Sequence, residues 1–160
     1  MNRTSSLQTA QDARAHAAAT PTHAPQHLIQ LTMQLHRPGL TPRQLGRIGE
    51  DYAALWLRNR GWTIIDRNWR SRYGELDIIA IDRVGQLAFV EVKTRRSAHF
   101  GAPQDAVDAH KRMALRRAGL QWLQEHGRDV PHMGMRFDVL ALSVLAGRRA
   151  PQIRHIPGAF

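Results

Sequence analysis

The sequence predicts one α/β domain, a central mixed sheet with a helix on one face and a longer helix on the other. Three observations carry that prediction. Thr41-Pro42 opens a stretch with apolar residues at helical spacing. Gly74 to Lys93 holds two apolar, β-branched runs around the turn Arg83-Val84-Gly85, the pattern of a β-hairpin. A second helical stretch stops at Gly127, and an alternating run follows at Arg136 to Leu142.

Length and composition bound the function. At 160 residues the chain has room for one domain with a core, plus some unstructured sequence. It lacks cysteine, which excludes disulfides and thiolate metal sites. A formal charge of +10 calls for an anionic partner, most simply nucleic acid, with a ribosomal or membrane surface as the alternatives. No apolar run approaches the roughly 18 residues of a membrane span. The N-terminus has no apolar core of a secretory signal, so a cytoplasmic protein without a membrane partner is expected. Of the 23 basic residues only Lys93 and Lys111 are lysine. An ammonium is a compact charge whose pKa shifts on burial, whereas a guanidinium is a planar, permanently charged fork, so the two lysines stand out from the arginines.

Taken in order, residues 1–38 are rich in Ala, Thr, Gln, His and Ser and are interrupted by Pro21, Pro25 and Pro38. They are expected to be mostly disordered, with a short helix around Leu28 to Leu35. The domain then occupies residues 39–160. Its first helix starts at the Thr41 N-cap, runs to about Asn59 and ends at Gly61. Leu45, Ile48, Tyr52, Leu55 and Trp56 form its predicted buried face. Gly46 and Gly49 each cost roughly 1 kcal/mol relative to alanine inside a helix, which suggests a close approach to a neighbouring backbone. Trp62 to Trp69 reads as the first strand. Arg67, Arg70 and Arg72 crowd the turn before the hairpin with Trp69 and Tyr73 between them, which suits phosphate contact and base stacking or an ordinary solvated turn.

The hairpin strands are apolar on both faces: Ile79, Ile81, Leu87 and Phe89 on one, Ile78, Ala80, Ala88, Val90 and Val92 on the other. They are therefore central strands, covered on both sides. Beyond them lie Arg95, Arg96 and a loop containing His99-Phe100-Gly101. The second helix is predicted from about Pro103 or Gln104 to His126, with Val107, Lys111, Ala114, Ala118 and Trp122 in one stripe. Lys111 among apolar neighbours either snorkels past the core rim or faces a phosphate. Arg136 to Leu142 supplies a fourth strand and Gln152 to Ile156 a short fifth one at an edge.

Acids inside the hairpin carry the chemistry. With Gly85 in the left-handed position of a three-residue loop, Asp82 faces Gln86, and counting back pairs Asp77 with Glu91. Lys93 shares the face of Glu91 because strand side chains alternate. Carboxylates with a lysine, and no phosphate-binding Gly-rich loop, paired-histidine zinc motif or nucleophile elbow, point to a hard cation such as Mg2+ or Mn2+. Asp77, Glu91 and the backbone carbonyl of Val92 would hold it. Lys93 would orient bound water or stabilise charge building on a phosphate, and Glu50 would reach the ion through water. Two structural alternatives stay open: a cross-strand salt bridge between Glu75 and Lys93 that needs no metal, and a solvated flank position for Glu50.

An acid on a helix, then Asp, then Glu-Val-Lys on the next strand resembles the PD-(D/E)XK nuclease superfamily, which includes Holliday-junction resolvases and restriction enzymes. More closely, Thr41 to Phe160 resembles the YraN family of small bacterial endonuclease-like proteins. The resemblance rests on Gly46 through Glu50, Arg67-Asn68, Gly74-Glu75-Leu76-Asp77, Phe89 through Arg95, Phe100-Gly101, Lys111, Arg136-Phe137-Asp138-Val139 and Ala159-Phe160. It implies a restriction-endonuclease-like αβββαβ core and Mg2+-dependent (or Mn2+-dependent) phosphodiester hydrolysis on DNA, branched DNA included. The helix acid falls on Glu50, the metal aspartate on Asp77 and the Glu-x-Lys on Glu91 and Lys93. Leu76 stands where the superfamily usually has proline. Junction cutters need two active sites, which adds a homodimer to the expectations, and Arg70, Arg72, Arg95, Arg96 and Lys111 are the expected nucleic-acid contacts. The alternative is a catalytically silent nucleic-acid-binding protein of the same fold.

Overall fold

A computed structural model describes residues 24–97 and 107–160. Its elements are α1 (Ala24–Leu35), α2 (Pro42–Arg58), β1 (Thr63–Ser71), β2 (Gly74–Ile81), β3 (Leu87–Arg95), α3 (Ala109–His126), a 3-10 turn (Gly127–Asp129), β4 (Met135–Ser143) and β5 (Gln152–Ile156). The five strands form one sheet in the order β1-β2-β3-β4-β5. All neighbours are antiparallel except β3 and β4, which run parallel. A parallel pair needs a crossover, and α3 supplies it. The fold is α/β with a mixed sheet and a restriction-endonuclease-like core, as the sequence predicts.

The two faces of β2 and β3 divide as expected. Ile78, Ala80, Ala88, Val90 and Val92 pack with Leu45, Tyr52 and Leu57 on the α2 side. Ile79, Leu87 and Phe89 pack with Leu115 and Trp122 on the α3 side. There Phe89 stacks on Phe137 with ring centroids 5.1 Å apart, and Phe137 on Phe160 at 5.5 Å.

Helix α2 begins where predicted. Thr41 Oγ1 accepts from Gln44 N–H at 3.2 Å while Gln44 Oε1 accepts from Thr41 N–H at 2.9 Å, a reciprocal capping box. Its buried face differs from the predicted stripe. Leu45 and Tyr52 are buried, but Leu55 and Trp56 are only half-buried, and Gly49, Ala53 and Leu57 take the inner line. The small residues set the line of closest approach, because a Cβ on Gly49 would overlap the Thr94 side chain. Gly46, by contrast, has no atom of the described residues within 4 Å of where its Cβ would stand. The expected close approach therefore holds for one glycine, against a side chain rather than a backbone.

The packed domain begins earlier than residue 39. The short helix expected around Leu28 to Leu35 is α1, within a stretch otherwise expected to be mostly disordered, and Leu35 at its end is fully buried against the α2-side core. Arg96 caps this helix, its Nη2 donating to the carbonyls of Leu35 at 3.3 Å and Arg37 at 2.6 Å. Expectations for residues 1–23 and for the loop around His99-Phe100-Gly101 lie outside the described residues. Helix α3 starts at Ala109 rather than near Pro103, because Asp108 is its N-cap, with Oδ1 accepting from Lys111 N–H at 2.8 Å.

One buried acid ties the far end of the sheet together. Asp138 on β4 accepts from Arg136 Nε at 3.0 Å, Gly158 N–H at 3.0 Å and His155 Nε2 at 2.8 Å. Arg136 Nη1 continues to Asp82 at the hairpin turn, at 2.7 Å. The overlap at Gly49 yields a direct test. Gly49→Ala should lower stability by about 1–3 kcal/mol in urea unfolding despite its better helix propensity, and Thr94→Gly in the same chain should recover part of the loss.

Candidate functional site

The predicted hairpin register is observed from Ile78 to Ile81 and stops one residue short of the predicted Asp77–Glu91 pair. Ile78 faces Val90, Ile79 faces Phe89, Ala80 faces Ala88 and Ile81 faces Leu87. Asp82 N–H donates to Gln86 O at 3.0 Å, and Gly85 sits at φ 84°. Backbone pairing ends at Ile78 and Val90, and the Asp77 side chain takes over: its Oδ2 accepts from Val92 N–H at 2.8 Å. The two strands fork there.

A slip of the pleat accompanies the fork. Leu76 and Ile78 would share a face in a regular strand, yet Leu76 packs on the α3 side and Ile78 on the α2 side. Their partners on β1, Trp69 and Arg67, bracket Asn68, the one non-glycine residue at positive φ (53°) among the described residues. Asparagine tolerates this left-handed conformation better than most residues. Asn68 Nδ2 donates to Glu50 Oε2 at 2.8 Å, so the helix acid is half-buried and held rather than solvated. Asn68 enters the sequence reading only within the Arg67-Asn68 pair of the family resemblance and not as a site residue; a turn conformation inside a β-rich run leaves no compositional signal.

Glu91 is 4 % exposed. The Lys111 ammonium makes an ion pair with its Oε1, whereas Oε2 is buried without a partner among the described residues. Burial first, then the negative charge of Glu91, pushes the Asp77 carboxyl up to about 8; the Val92 N–H opposes this, Glu50 adds to it and Lys111 counters it. Lys93 is half-buried and, by the alternation of β3, on the face of Glu91; it has no hydrogen bond or ion pair among the described residues. The cross-strand bridge from Glu75 to Lys93 is absent. With β2 diverging from β3, Glu75 pairs instead with its β1 neighbour Arg70, whose Nε lies 3.3 Å away.

The expected nucleic-acid contacts are dispersed. Arg95 is exposed at the end of β3, Arg72 lies over the Tyr73 ring at 4.8 Å, Arg70 holds Glu75, and Arg96 is spent on α1. Lys111 neither snorkels freely nor stands alone; it neutralises Glu91. A cleft of about 620 Å³ opens between α2 and β1, with Glu50, Asn68 and Asp77 in its wall beside Arg43, Gly46 and Arg47.

For a divalent cation the fit rests on donor chemistry. Two hard carboxylates repel each other at Asp77 and Glu91, and the orphaned Glu91 oxygen is an acceptor that a cation would satisfy. Among the described residues no group of three acids or histidines is gathered closely enough to hold a metal, so Asp77 and Glu91 would rely on the Val92 carbonyl and water for the rest of the shell. The raised Asp77 carboxyl has a consequence without any metal. A carboxyl that holds its proton more tightly folded than unfolded loses stability as pH rises from about 4 towards about 8. In EDTA, Asp77→Asn should therefore melt higher than wild type, with a gap that widens over that interval in thermal scans at stepped pH and is level above it.

Comparison with known proteins identifies the family of the chain. A family model described as "Uncharacterised protein family UPF0102" matches residues 49–142, which includes Glu50, Asp77, Glu91, Lys93 and Lys111. A UPF0102 protein of Bifidobacterium longum subsp. infantis is 48% identical over 121 residues, 76% of this chain and 96% of the relative. One from Nocardia farcinica is 49% identical over 116 residues, 72% of this chain and 88% of the relative. The chain belongs to the UPF0102 family, the nuclease-like YraN type that its acids and Glu-Val-Lys strand resemble.

Proposed function

We propose that the protein is a Mg2+-dependent (or Mn2+-dependent) endonuclease acting on DNA in the cytoplasm, branched DNA included. The observation that carries this reading is the pair Asp77 and Glu91 at the strand fork, mutually repelling and with one buried carboxylate oxygen unpartnered. A group in that state costs free energy unless something positive joins it. Asp77, Glu91 and the Val92 carbonyl are the residues to hold the ion. When bound, the ion would activate water and offset charge on the scissile phosphate.

The chain's own groups have separable tasks. Asp77 is aimed by the Val92 N–H, and Glu91 by the Lys111 ammonium. Lys93 brings an uncommitted positive charge to the same face, suited to the anionic phosphate. Glu50, held by Asn68, is placed to orient water or accept its proton. Cutting both strands of a junction takes two such sites, so the proposal includes a homodimer.

A specific observation favours a second reading, a nucleic-acid-binding protein without the reaction. Lys111 already supplies one positive charge to Glu91, and no third ligating side chain is gathered with the pair among the described residues. The two readings separate in one assay. Cleavage of linear, flapped and four-way DNA in Mn2+, with Asp77→Ala slower by about 10²-fold or more, is the expected outcome. Absence of Mg2+ or Mn2+ binding by calorimetry, together with binding of DNA that EDTA and Lys93→Ala leave unchanged, would overturn it in favour of the second.

A further inference from the structure

We infer that the cleft between α2 and β1 is a track for the phosphodiester backbone of one nucleic-acid strand, which crosses α2 at the bare backbone of Gly46 between Arg43 and Arg47. The inference rests on the nuclease reading for what the strand is delivered to, since the same cleft reaches Glu50 and Asp77. Its own support is separate. Arg43, Gly46, Arg47 and Glu50 occupy positions i, i+3, i+4 and i+7 of one helix and so form one stripe, and all four line the cleft.

Gly46 is the telling member. A glycine in a helix interior is unfavourable relative to alanine, and where it persists some neighbour usually needs the room. Gly49 has such a neighbour in Thr94; among the described residues Gly46 has none within 4 Å of its would-be Cβ. The space above it opens into the cleft and no described residue fills it, which leaves room there for a group of a bound ligand. The arginines on either side indicate its chemistry. Arg43 and Arg47 make no hydrogen bond or ion pair among the described residues, unlike Arg67, which binds Asp51 at 2.7 Å, and Arg70, which binds Glu75. Two uncommitted guanidiniums one turn apart suit successive phosphates of a strand. DNA and RNA share that backbone, and the test distinguishes them.

The test uses the full chain in EDTA, so that binding is read without cleavage. Fluorescence anisotropy would follow labelled single-stranded DNA, single-stranded RNA and duplex DNA over a salt series. Gly46→Gln should melt no lower than wild type, because glutamine is the better helix former, yet bind at least about tenfold more weakly as its side chain fills the track. Arg43→Ala with Arg47→Ala should flatten the slope of log K against log salt by about 1.4 on single strands, two phosphates' worth. Preference for one nucleic acid would support the track and identify its sugar. A Gly46→Gln variant that binds like wild type, or an unchanged salt slope in the double variant, would overturn it. Loss of binding in these variants without Mn2+-dependent cleavage by wild type would sink the nuclease reading and leave the track standing.

Discussion

The hydrogen bond from Val92 N–H to Asp77 is the contact on which the rest of the site depends. At the point where β2 and β3 part, a backbone donor in the middle of a sheet loses its strand partner, and a carboxylate takes the place of a carbonyl. This satisfies the donor, which would be costly to bury unpaired. It also fixes an acid at half-burial beside Glu91, where the second charge is unwelcome. A structural need of the sheet thus holds in place the very group that destabilises it electrostatically, a tension typical of sites that await a positively charged ligand.

The fork is held open from both ends. On the turn side, Arg136 and Asp138 bind the hairpin to β4 and β5, so β3 is clamped between two neighbours along its apolar length. On the other side, Asn68 anchors α2 to β1 through Glu50, and Arg96 anchors α1 to the end of β3. The acids therefore sit where rigid pairing gives way to side-chain ties. Such a position lets acidic side chains project beyond the pleat while carried on strands.

Much of this was legible from residues alone, for identifiable reasons. The hairpin register follows from a three-residue loop and a period of two, both local properties, and counting it back brings Asp77 close to Glu91, although the backbone ladder stops one residue short of that pair. The two-faced apolarity of β2 and β3 placed them centrally in the sheet. What escaped was non-local. The pleat slip at Asp77 follows from Asn68 adopting a left-handed conformation, which composition does not announce. The parting of β2 and β3 beyond Ile78 and Val90 likewise ends the register that would set Glu75 against Lys93. Arg96 read as a surface cation because the helix it caps lies some sixty residues away in sequence, inside a stretch whose polar composition resembles a tail. The inner line of α2 departs from the stripe of large apolar residues because Gly49 and Ala53 bring the helix closest to the sheet.

The scarcity of lysine has a practical side. Of the primary amines on the side chains of this sequence, one contacts Glu91 and the other stands two residues beyond it on the same strand. Lys111 keeps 41% of its side chain exposed and Lys93 is half-buried, so both are within reach of small reagents. Acylation or reductive methylation, which on most proteins decorates the whole surface, is here confined to the acid cluster and the chain's α-amino group. A mass shift on either lysine thus becomes a footprint of whatever occupies the fork, and protection from labelling reports occupancy without a substrate, a product or a choice between the readings of what the fork does.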